Sequence, residues 1–275
     1  MGTYRVACHL ILFGRMLRER PAERAYEHAL EEVFAIVAEA GYDGVEGVGA
    51  RSADHLVELA VLGRKYGLSL VNAGGPDQEQ KFRYNITLGN AACNIPEQNK
   101  KDYGVTQPWR ERLDDVTLRR VADDARPACQ RAVELGIKPF QHTHMGKVME
   151  TVEDAHRLLS ILPELTLLYD TGHLAAADSA PIDVLRDPLL RGRIGHVHLK
   201  DTWVENPAQR AMDRRDWHFE ELGQGNVGID FGQLLSELEA TGYRDWISVE
   251  QDSPTSHPPA EAARLNRQFL RRLGY

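Results

Sequence analysis

The sequence predicts one (β/α)8 barrel, the TIM-barrel architecture, as a single domain over residues 1–275. Three observations carry this expectation. Short apolar runs alternate with longer stretches of helical periodicity, as in parallel strands joined by helical crossovers. A chain of 275 residues fits one such barrel. Several apolar runs end in Asp, Glu or His, at the strand ends where barrel active sites are built.

Taken in order, Tyr4 to Cys8 reads as the first strand. A helix follows over about Ala22 to Ala40, with Leu30, Val33, Phe34, Ile36 and Val37 on one face, and Gly41 stops it. Asp43 to Val48 is the second strand. Ala53 to Tyr66 is a helix closed by Gly67, and Leu68 to Ala73 is the third strand. From Gly74 to Asp114 the pattern is less regular. Tyr84 to Leu88 is the candidate fourth strand, and Gly89 to Trp109, rich in Asn, Gly and Pro, reads as a long loop of the kind that often carries function. Leu113 to Leu135 is a long helix ended by Gly136. Lys138 to Thr143 is the fifth strand, Val152 to Leu162 its helix, and Leu165 to Asp170 the sixth strand. A short helix at Ile182 to Leu189 leads to the seventh strand, Arg193 to Leu199. A second long loop runs from Asp201 to Gly228. Phe231 to Thr241 is helical, Trp246 to Glu250 is the eighth strand, and Ala260 to Leu273 is the closing helix.

Parity within the strands supports the assignment. Ile247 and Val249 share one face, with Trp246, Ser248 and Glu250 on the other. Val197 and Leu199 oppose Ile194, His196 and His198. Aliphatic side chains therefore pack against helices, and polar ones point into the barrel near its mouth.

Composition narrows the function. A net charge of −8 disfavours a nucleic-acid partner, since phosphate neutralisation needs clustered cations. No run approaches the ~18 apolar residues of a membrane span. Met1 to Arg15 lacks the basic start, apolar core and cleavage site of a signal peptide. Cys8, Cys93 and Cys129 are odd in number and share no zinc-like spacing, which fits a reduced cytoplasm without disulfides. In that compartment the sequon Asn85-Ile-Thr87 is a coincidence. A homo-oligomer is compatible with everything above.

The informative residues sit at strand ends. Tyr169-Asp-Thr-Gly-His173 closes the sixth strand, His196-Val-His-Leu-Lys-Asp201 the seventh and Trp246-Ile-Ser-Val-Glu-Gln-Asp252 the eighth. A lone Asp170 would suit a helix cap. With His173 three residues on and other acids and imidazoles converging, it reads as a metal ligand. Glu250 ends a strand at the same level, where a carboxylate needs a metal or a cation beside it. His198, nearer the mouth than His196, is assigned as a ligand, and His196 lies one layer deeper, behind it or against substrate. Lys200 has the same parity, one step further out. It either stabilises a developing oxyanion, acts as an acid/base, or is a solvated surface lysine. His142 and His144 share a face in Gln141-His-Thr-His-Met-Gly146 and bring two more imidazoles to the mouth. His9 and Glu46 point the same way. With His144, His196 and Trp203 they are the candidate substrate contacts. Trp203, Trp217, His218 and Phe219, in the second long loop, either wall a sugar site or pin the loop down. Acids and imidazoles meeting with open positions are the ligand set of a divalent metal centre, with manganese, magnesium or cobalt ahead of zinc or iron.

At this point the chain resembles a known family. Gly41-Tyr-Asp-Gly-Val-Glu46, His142-Thr-His-Met-Gly146, Tyr169-Asp-Thr-Gly-His173, His196-Val-His-Leu-Lys-Asp201, Gly223-Gln-Gly-Asn-Val-Gly-Ile-Asp-Phe231 and Val249-Glu-Gln-Asp252 are similar to the xylose-isomerase-like barrel superfamily. Its sugar isomerases, epimerases and inosose dehydratases are metal-dependent. The histidine pair on the fifth strand and Val249-Glu-Gln-Asp252 look most like inosose dehydratase. The resemblance covers most of the chain and is weakest between Gly74 and Asp114. It implies metal ligands at the ends of strands five to eight, namely His142, Asp170, His198 and Glu250, and a sugar-contacting histidine at His173. Epimerases of the superfamily carry Glu where this chain has His142, which weakens a two-glutamate epimerase mechanism. His173, Lys200 and Glu250 form the expected catalytic set.

The function expected is a lyase or isomerase acting on a keto-sugar or keto-cyclitol through proton abstraction and a metal-stabilised enediolate. The inosose-dehydratase resemblance favours elimination over isomerisation or epimerisation. An AP-endonuclease-like phosphodiesterase would need further histidines on early strands, where the chain offers Glu46 and Asn72. A non-catalytic sugar-binding barrel is the remaining alternative. Asp252-Ser-Pro-Thr-Ser-His-Pro-Pro lacks a glycine-rich anion cradle, so a phosphorylated substrate is not expected. Gly223-Gln-Gly-Asn-Val-Gly228 has the spacing of a dinucleotide fingerprint but does not follow a strand, so no nicotinamide site is expected.

Overall fold

The computed structural model describes residues 4–18, 26–107, 111–207, 216–252 and 256–275. The barrel strands are β1 (Arg5–His9), β2 (Gly44–Glu46), β3 (Ser69–Val71), β4 (Ala92–Asn94), β5 (Lys138–His142), β6 (Thr166–Asp170), β7 (Ile194–Leu199) and β10 (Trp246–Val249). A separate antiparallel hairpin is formed by β8 (Asp201–Val204) and β9 (Trp217–Glu220). The helices are α1 (Gly14–Arg18), α2 (Tyr26–Ala40), α3 (Ala53–Tyr66), α4 (Gln78–Thr87), α5 (Asp115–Glu134), α6 (Val152–Ile161), α7 (Thr171–Ala176), α8 (Ile182–Arg186), α9 (Phe231–Ala240) and α10 (Pro259–Arg272).

All eight barrel strands are parallel and pair in the order β3-β2-β1-β10-β7-β6-β5-β4. First and last strands therefore meet, with Arg5 opposite Trp246 and Cys8 opposite Val249. The remaining seam, between β3 and β4, carries no strand ladder; asparagine side chains stitch it. Asn90 Nδ2 donates to the Leu70 carbonyl (3.1 Å), and Asn72 Oδ1 accepts from the Asn94 amide (3.3 Å). Asn72 sits at φ 46°, a left-handed conformation that Asn tolerates better than most residues.

The helices form where amphipathic periodicity and caps agree. Ser52 caps α3 through the His55 amide, and Gly67 closes it at φ 70°. Thr151 and Asp154 make a reciprocal capping box at the start of α6. Val33, Phe34 and Val37 on α2 have no exposed surface, and burying each of these side chains stabilises the fold by about 1.5–3 kcal/mol.

The expected helix start at residues 22–25 and the expected loop end at Trp109 lie outside the described residues. Two expectations are corrected. Tyr84 to Leu88 is not a strand; it is the end of α4, capped by Asp77 and closed by Gly89 at φ 76°. Phe82 and Asn85, three apart, both face inward, as on a helix. Asn85 has no exposed surface and bonds both the amide (2.9 Å) and the carbonyl (2.8 Å) of Ala73, so it serves the third strand end and cannot accept a glycan. The true fourth strand, Ala92–Asn94, falls inside the expected loop and is too short to show a period. The second expected loop, Asp201 to Gly228, contains the β8–β9 hairpin; residues 208–215 are outside the description.

Candidate active site

The Asp-Thr-Gly-His run after β6 is built around Lys200. Thr171 Oγ1 accepts from the Lys200 amide (2.9 Å) and donates to its carbonyl (2.7 Å), clamping the two strand ends together. Gly172 leaves room for the lysine stem: a Cβ there would stand 2.6 Å from Lys200 Cγ. Asp170 does two jobs. Its Oδ1 caps α7 by accepting from the His173 amide (2.8 Å), and its Oδ2 lies 2.9 Å from His142 Nε2. The cap reading and the ligand reading are therefore compatible.

One ligand-capable atom from each of His142, Asp170, His198 and Glu250 lies within 4.8 Å of the others. Bonds of about 2.0–2.2 Å to one ion allow ligand atoms at most about 4.4 Å apart, so this set closes on a cation with small movements. Two carboxylates and two imidazoles suit a divalent ion. His198 presents Nδ1 to Glu250 Oε2 (2.8 Å) and Asp170 Oδ2 (3.8 Å). Lys200 Nζ lies 2.8 Å from Glu250 Oε2, 3.2 Å from Asp252 Oδ1 and 3.6 Å from Asp170 Oδ2, almost fully buried.

Charge in this cluster is mutually sustained. Burial alone would push Asp170 and Glu250 up, but the Lys200 ammonium, with the His142 hydrogen bond on Asp170 and His198 beside Glu250, holds both well below the ordinary carboxylate range. Burial would lower His198 and Lys200; Glu250, with Glu46 on the histidine and Asp170 on the lysine, raises both instead. Lys200 is thus an ammonium, not a base.

Two imidazoles behave differently. His173 is held well below 6.5, by burial first and the Lys200 charge second, so it is neutral. The ammonium must donate across the 3.3 Å contact to His173 Nε2, which puts the proton on Nδ1. That Nδ1–H is buried and has no hydrogen-bond partner among the described residues. His144 is lowered by burial and by His142. Its Nδ1 must donate to the Met145 carbonyl (2.8 Å), which leaves the Nε2 lone pair without a hydrogen bond among the described residues. The two rings lie 3.7 Å apart.

His9 stands at the mouth beside the quartet, its Nδ1 accepting from the Ile11 amide (3.2 Å) and 3.5 Å from Glu250 Oε1. Glu46 and His196 are almost fully buried and paired with each other. His196 Nε2 is 2.8 Å from Glu46 Oε2, and every oxygen of Glu46 already has a protein partner, so neither is placed as a free substrate contact. Trp203 is also displaced from its expected role. In the hairpin it pairs with His218 and stacks on it at 4.8 Å, on the ribbon face opposite Trp217 and Phe219. Phe219 is the residue that meets His173 (4.9 Å) and Lys200 (4.2 Å), with Trp217 behind it at 5.1 Å. Only the pairing register, invisible while 201–228 reads as loop, separates these faces. Glu97 was also missed; it approaches His142 Nδ1 at 3.7 Å and Lys147 at 3.4 Å from the segment after β4.

The glycines of Gly223-Gln-Gly-Asn-Val-Gly228 cradle a carboxylate of the chain itself. Asp201 Oδ2 accepts from the amides of Gly223 (2.8 Å) and Gly225 (2.9 Å), and a Cβ on Gly225 would clash with the same carboxylate. That arrangement anchors the hairpin. The three cysteines are free and buried, and no helix among the described residues is long and apolar enough to cross a membrane. Residues 253–255 of the loop weighed for phosphate binding lie outside the description.

Comparison with known proteins agrees with this architecture. A family model described as xylose isomerase-like TIM barrel matches residues 34–273. An inosose dehydratase of Glaesserella parasuis is 29% identical over 94% of the chain and 93% of its own length. The rhizopine catabolism protein MocC of Rhizobium meliloti is 33% identical over 62% of the chain; that match spans 54% of MocC, about half its length. Among solved structures, the 3-keto-D-glucoside 4-epimerase YcjR of E. coli superposes with a TM-score of 0.69 at 19% identity, covering 98% of this chain and 99% of that one. The probable 3-DHS dehydratase AsbF of Bacillus anthracis superposes at 0.67 and 15% identity, covering 97% and 98%. At these identities the structures speak for the fold.

Proposed function

The chain belongs to the xylose isomerase-like TIM barrel family, and we propose that within it this enzyme is a divalent-metal-dependent lyase that eliminates water, or another β-leaving group, from a keto-cyclitol or keto-sugar. The observation that carries the reading is the quartet of His142, Asp170, His198 and Glu250 beside two neutral imidazoles of fixed tautomer and one buried ammonium. The dehydratase names among the relatives support elimination, and free cysteines are consistent with a cytoplasmic setting.

A divalent ion held by the quartet would supply Lewis-acid polarisation of a carbonyl and a neighbouring hydroxyl. The side chains supply the rest. His144 Nε2 takes the proton α to the carbonyl, since its lone pair is free and its Nδ1–H is tied to the backbone. The C–H electrons move into a carbon–carbon double bond, and the developing oxyanion faces the Lys200 ammonium. The β-carbon–oxygen bond then breaks. The leaving oxygen takes a proton from Lys200 and, if the group was a hydroxyl, departs as water. His173 Nδ1–H donates to a substrate hydroxyl, which gives that buried donor a partner. Phe219 and Trp217 present an apolar wall to the C–H face of a ring. Glu250 is held ionised and is assigned to the metal rather than to proton transfer.

Metal binding should be strongly pH-dependent. In the metal-free protein His198 holds its proton above the ordinary 6.5. Binding at Nδ1 must release that proton, so affinity should climb by about tenfold per pH unit from pH 6.5 upward and level only above the raised pKa. Competition with a chelator of known affinity at several pH values measures this. A flat profile from about pH 6.5 to 8 would show that binding releases no proton from His198, which contradicts either its raised pKa or its place among the ligands.

The activity is tested by stripping the protein, reloading it with Mn(II), Mg(II) or Co(II), and offering keto-inositols, 3-keto-glycosides and ketohexoses. Loss of one water or of the glycosyl group from the product mass is expected. A product isomeric with its substrate would move the assignment to isomerase or epimerase, and a requirement for added nicotinamide would discard it.

A further inference from the structure

Glu46 is among the most completely engaged carboxylates in the barrel, yet it is not one of the four residues whose ligand atoms gather in the quartet. It ends β2, is 1% exposed, and lies between three other strand ends. Its Oε1 accepts from Asn72 Nδ2 (2.9 Å), and its Oε2 from His196 Nε2 (2.8 Å), His198 Nε2 (3.2 Å) and the Ser248 hydroxyl. Asn72 reaches it from the left-handed turn that also stitches the β3–β4 seam. Four donors converge on one carboxylate, and among the described residues no lysine or arginine donates a hydrogen bond to it.

We propose that Glu46 is a positioning residue that sets which nitrogen of His198 faces the metal. The inference rests on the metal reading of the quartet. A neutral imidazole has one lone pair, and Glu46 accepts a hydrogen bond from Nε2. The lone pair is thereby kept on Nδ1, the nitrogen that faces Glu250 and Asp170. A carboxylate behind a ligating histidine also makes that ligand more basic and stops the ring from turning. Glu46, His196 and His198 could themselves bracket a cation. His198 cannot offer both nitrogens to two ions while neutral, and Asn72 and Ser248 already satisfy the carboxylate, so a hydrogen-bonded support is the consistent assignment.

The test compares Glu46→Gln with Ser248→Ala in the full chain, metal-stripped and titrated with Mn(II). The first removes the acceptor for His198; the second perturbs the same network and leaves that acceptor in place. Glu46→Gln should bind Mn(II) about 10–100-fold more weakly, while Ser248→Ala stays within about threefold of wild type. Thermal unfolding of the metal-free proteins separates this from general damage, because both substitutions disturb the buried network there. If Gln prevents folding, Glu46→Asp, which withdraws the carboxylate by one methylene, carries the same expectation. Equal affinity of Glu46→Gln and wild type would overturn the assignment, as would equal losses in Glu46→Gln and Ser248→Ala. Two Mn(II) equivalents in wild type with one lost in Glu46→Gln would make Glu46 a ligand instead. A wild type that takes up no divalent ion would overturn the metal reading itself.

Discussion

Asp170→Asn and Glu250→Gln should each remain folded while losing the divalent ion and, with it, about 10³-fold or more of turnover, the several kcal/mol of charge stabilisation a Lewis acid supplies at about 1.36 kcal/mol per decade. The substitutions are chosen to keep shape. Asn is as good a helix cap as Asp, so the amide oxygen of the Asp170→Asn variant can still accept from the His173 amide and start α7. In Glu250→Gln the side-chain oxygen can still accept from His198. What each removes is one of two buried negative charges facing His198 and Lys200. The metal-free variants will melt lower, since Lys200 is left with fewer counter-charges in a site of almost no exposure. Metal content by elemental analysis, alongside circular dichroism and turnover, checks the result. Stoichiometric metal with normal turnover in either variant would show that the quartet is an ion-pair cluster.

The second large effect separates the two neutral imidazoles. His144→Ala should keep its metal but lose about 10²–10⁴-fold in kcat, the usual contribution of a positioned base. It should also stop solvent exchange at the carbon next to the carbonyl. His173→Ala should keep its metal and retain exchange, with its loss shared between kcat and KM, because it forfeits a hydroxyl contact and not the base. The assignments exchange if His173→Ala abolishes exchange and His144→Ala does not. Loss of stoichiometric metal in His173→Ala would make it a ligand.

How much of this was readable in the chain depended on local signal. Strands 1–3 and 5–8 announce themselves as apolar runs, and glycines at 41, 67 and 136 stop the helices that lead into three of them. The fourth does not. Ala92–Asn94 is three residues long, and its seam is closed by side chains of Asn72 and Asn90, a tertiary event with no sequence period. At the site, ligand-type residues at four strand ends were legible because a strand end has a known place in a barrel. Parity tells that His196 and His198 share a face with Ser248 and Glu250 across the ladder, but not which of these groups pair with one another, so Glu46 and His196 read as substrate contacts. Trp203 reads as the contact in place of Trp217 and Phe219 for a related reason: without the hairpin register there is no face to count. Tautomers lay wholly outside the sequence, since the Met145 carbonyl and the Lys200 ammonium set them through space.

Central to the account is removal of a proton α to a carbonyl by a side chain of this barrel. The direct test is turnover in deuterated water, with the stripped protein reloaded with one divalent metal and no nicotinamide added. Deuterium should appear at the carbon next to the carbonyl, in recovered substrate or product, with water or a glycosyl group lost from the eliminated product. Complete retention of the substrate's own hydrogen at that carbon or its neighbour, with no exchange at any pH where the enzyme turns over, would contradict proton abstraction and favour a metal-assisted hydride shift.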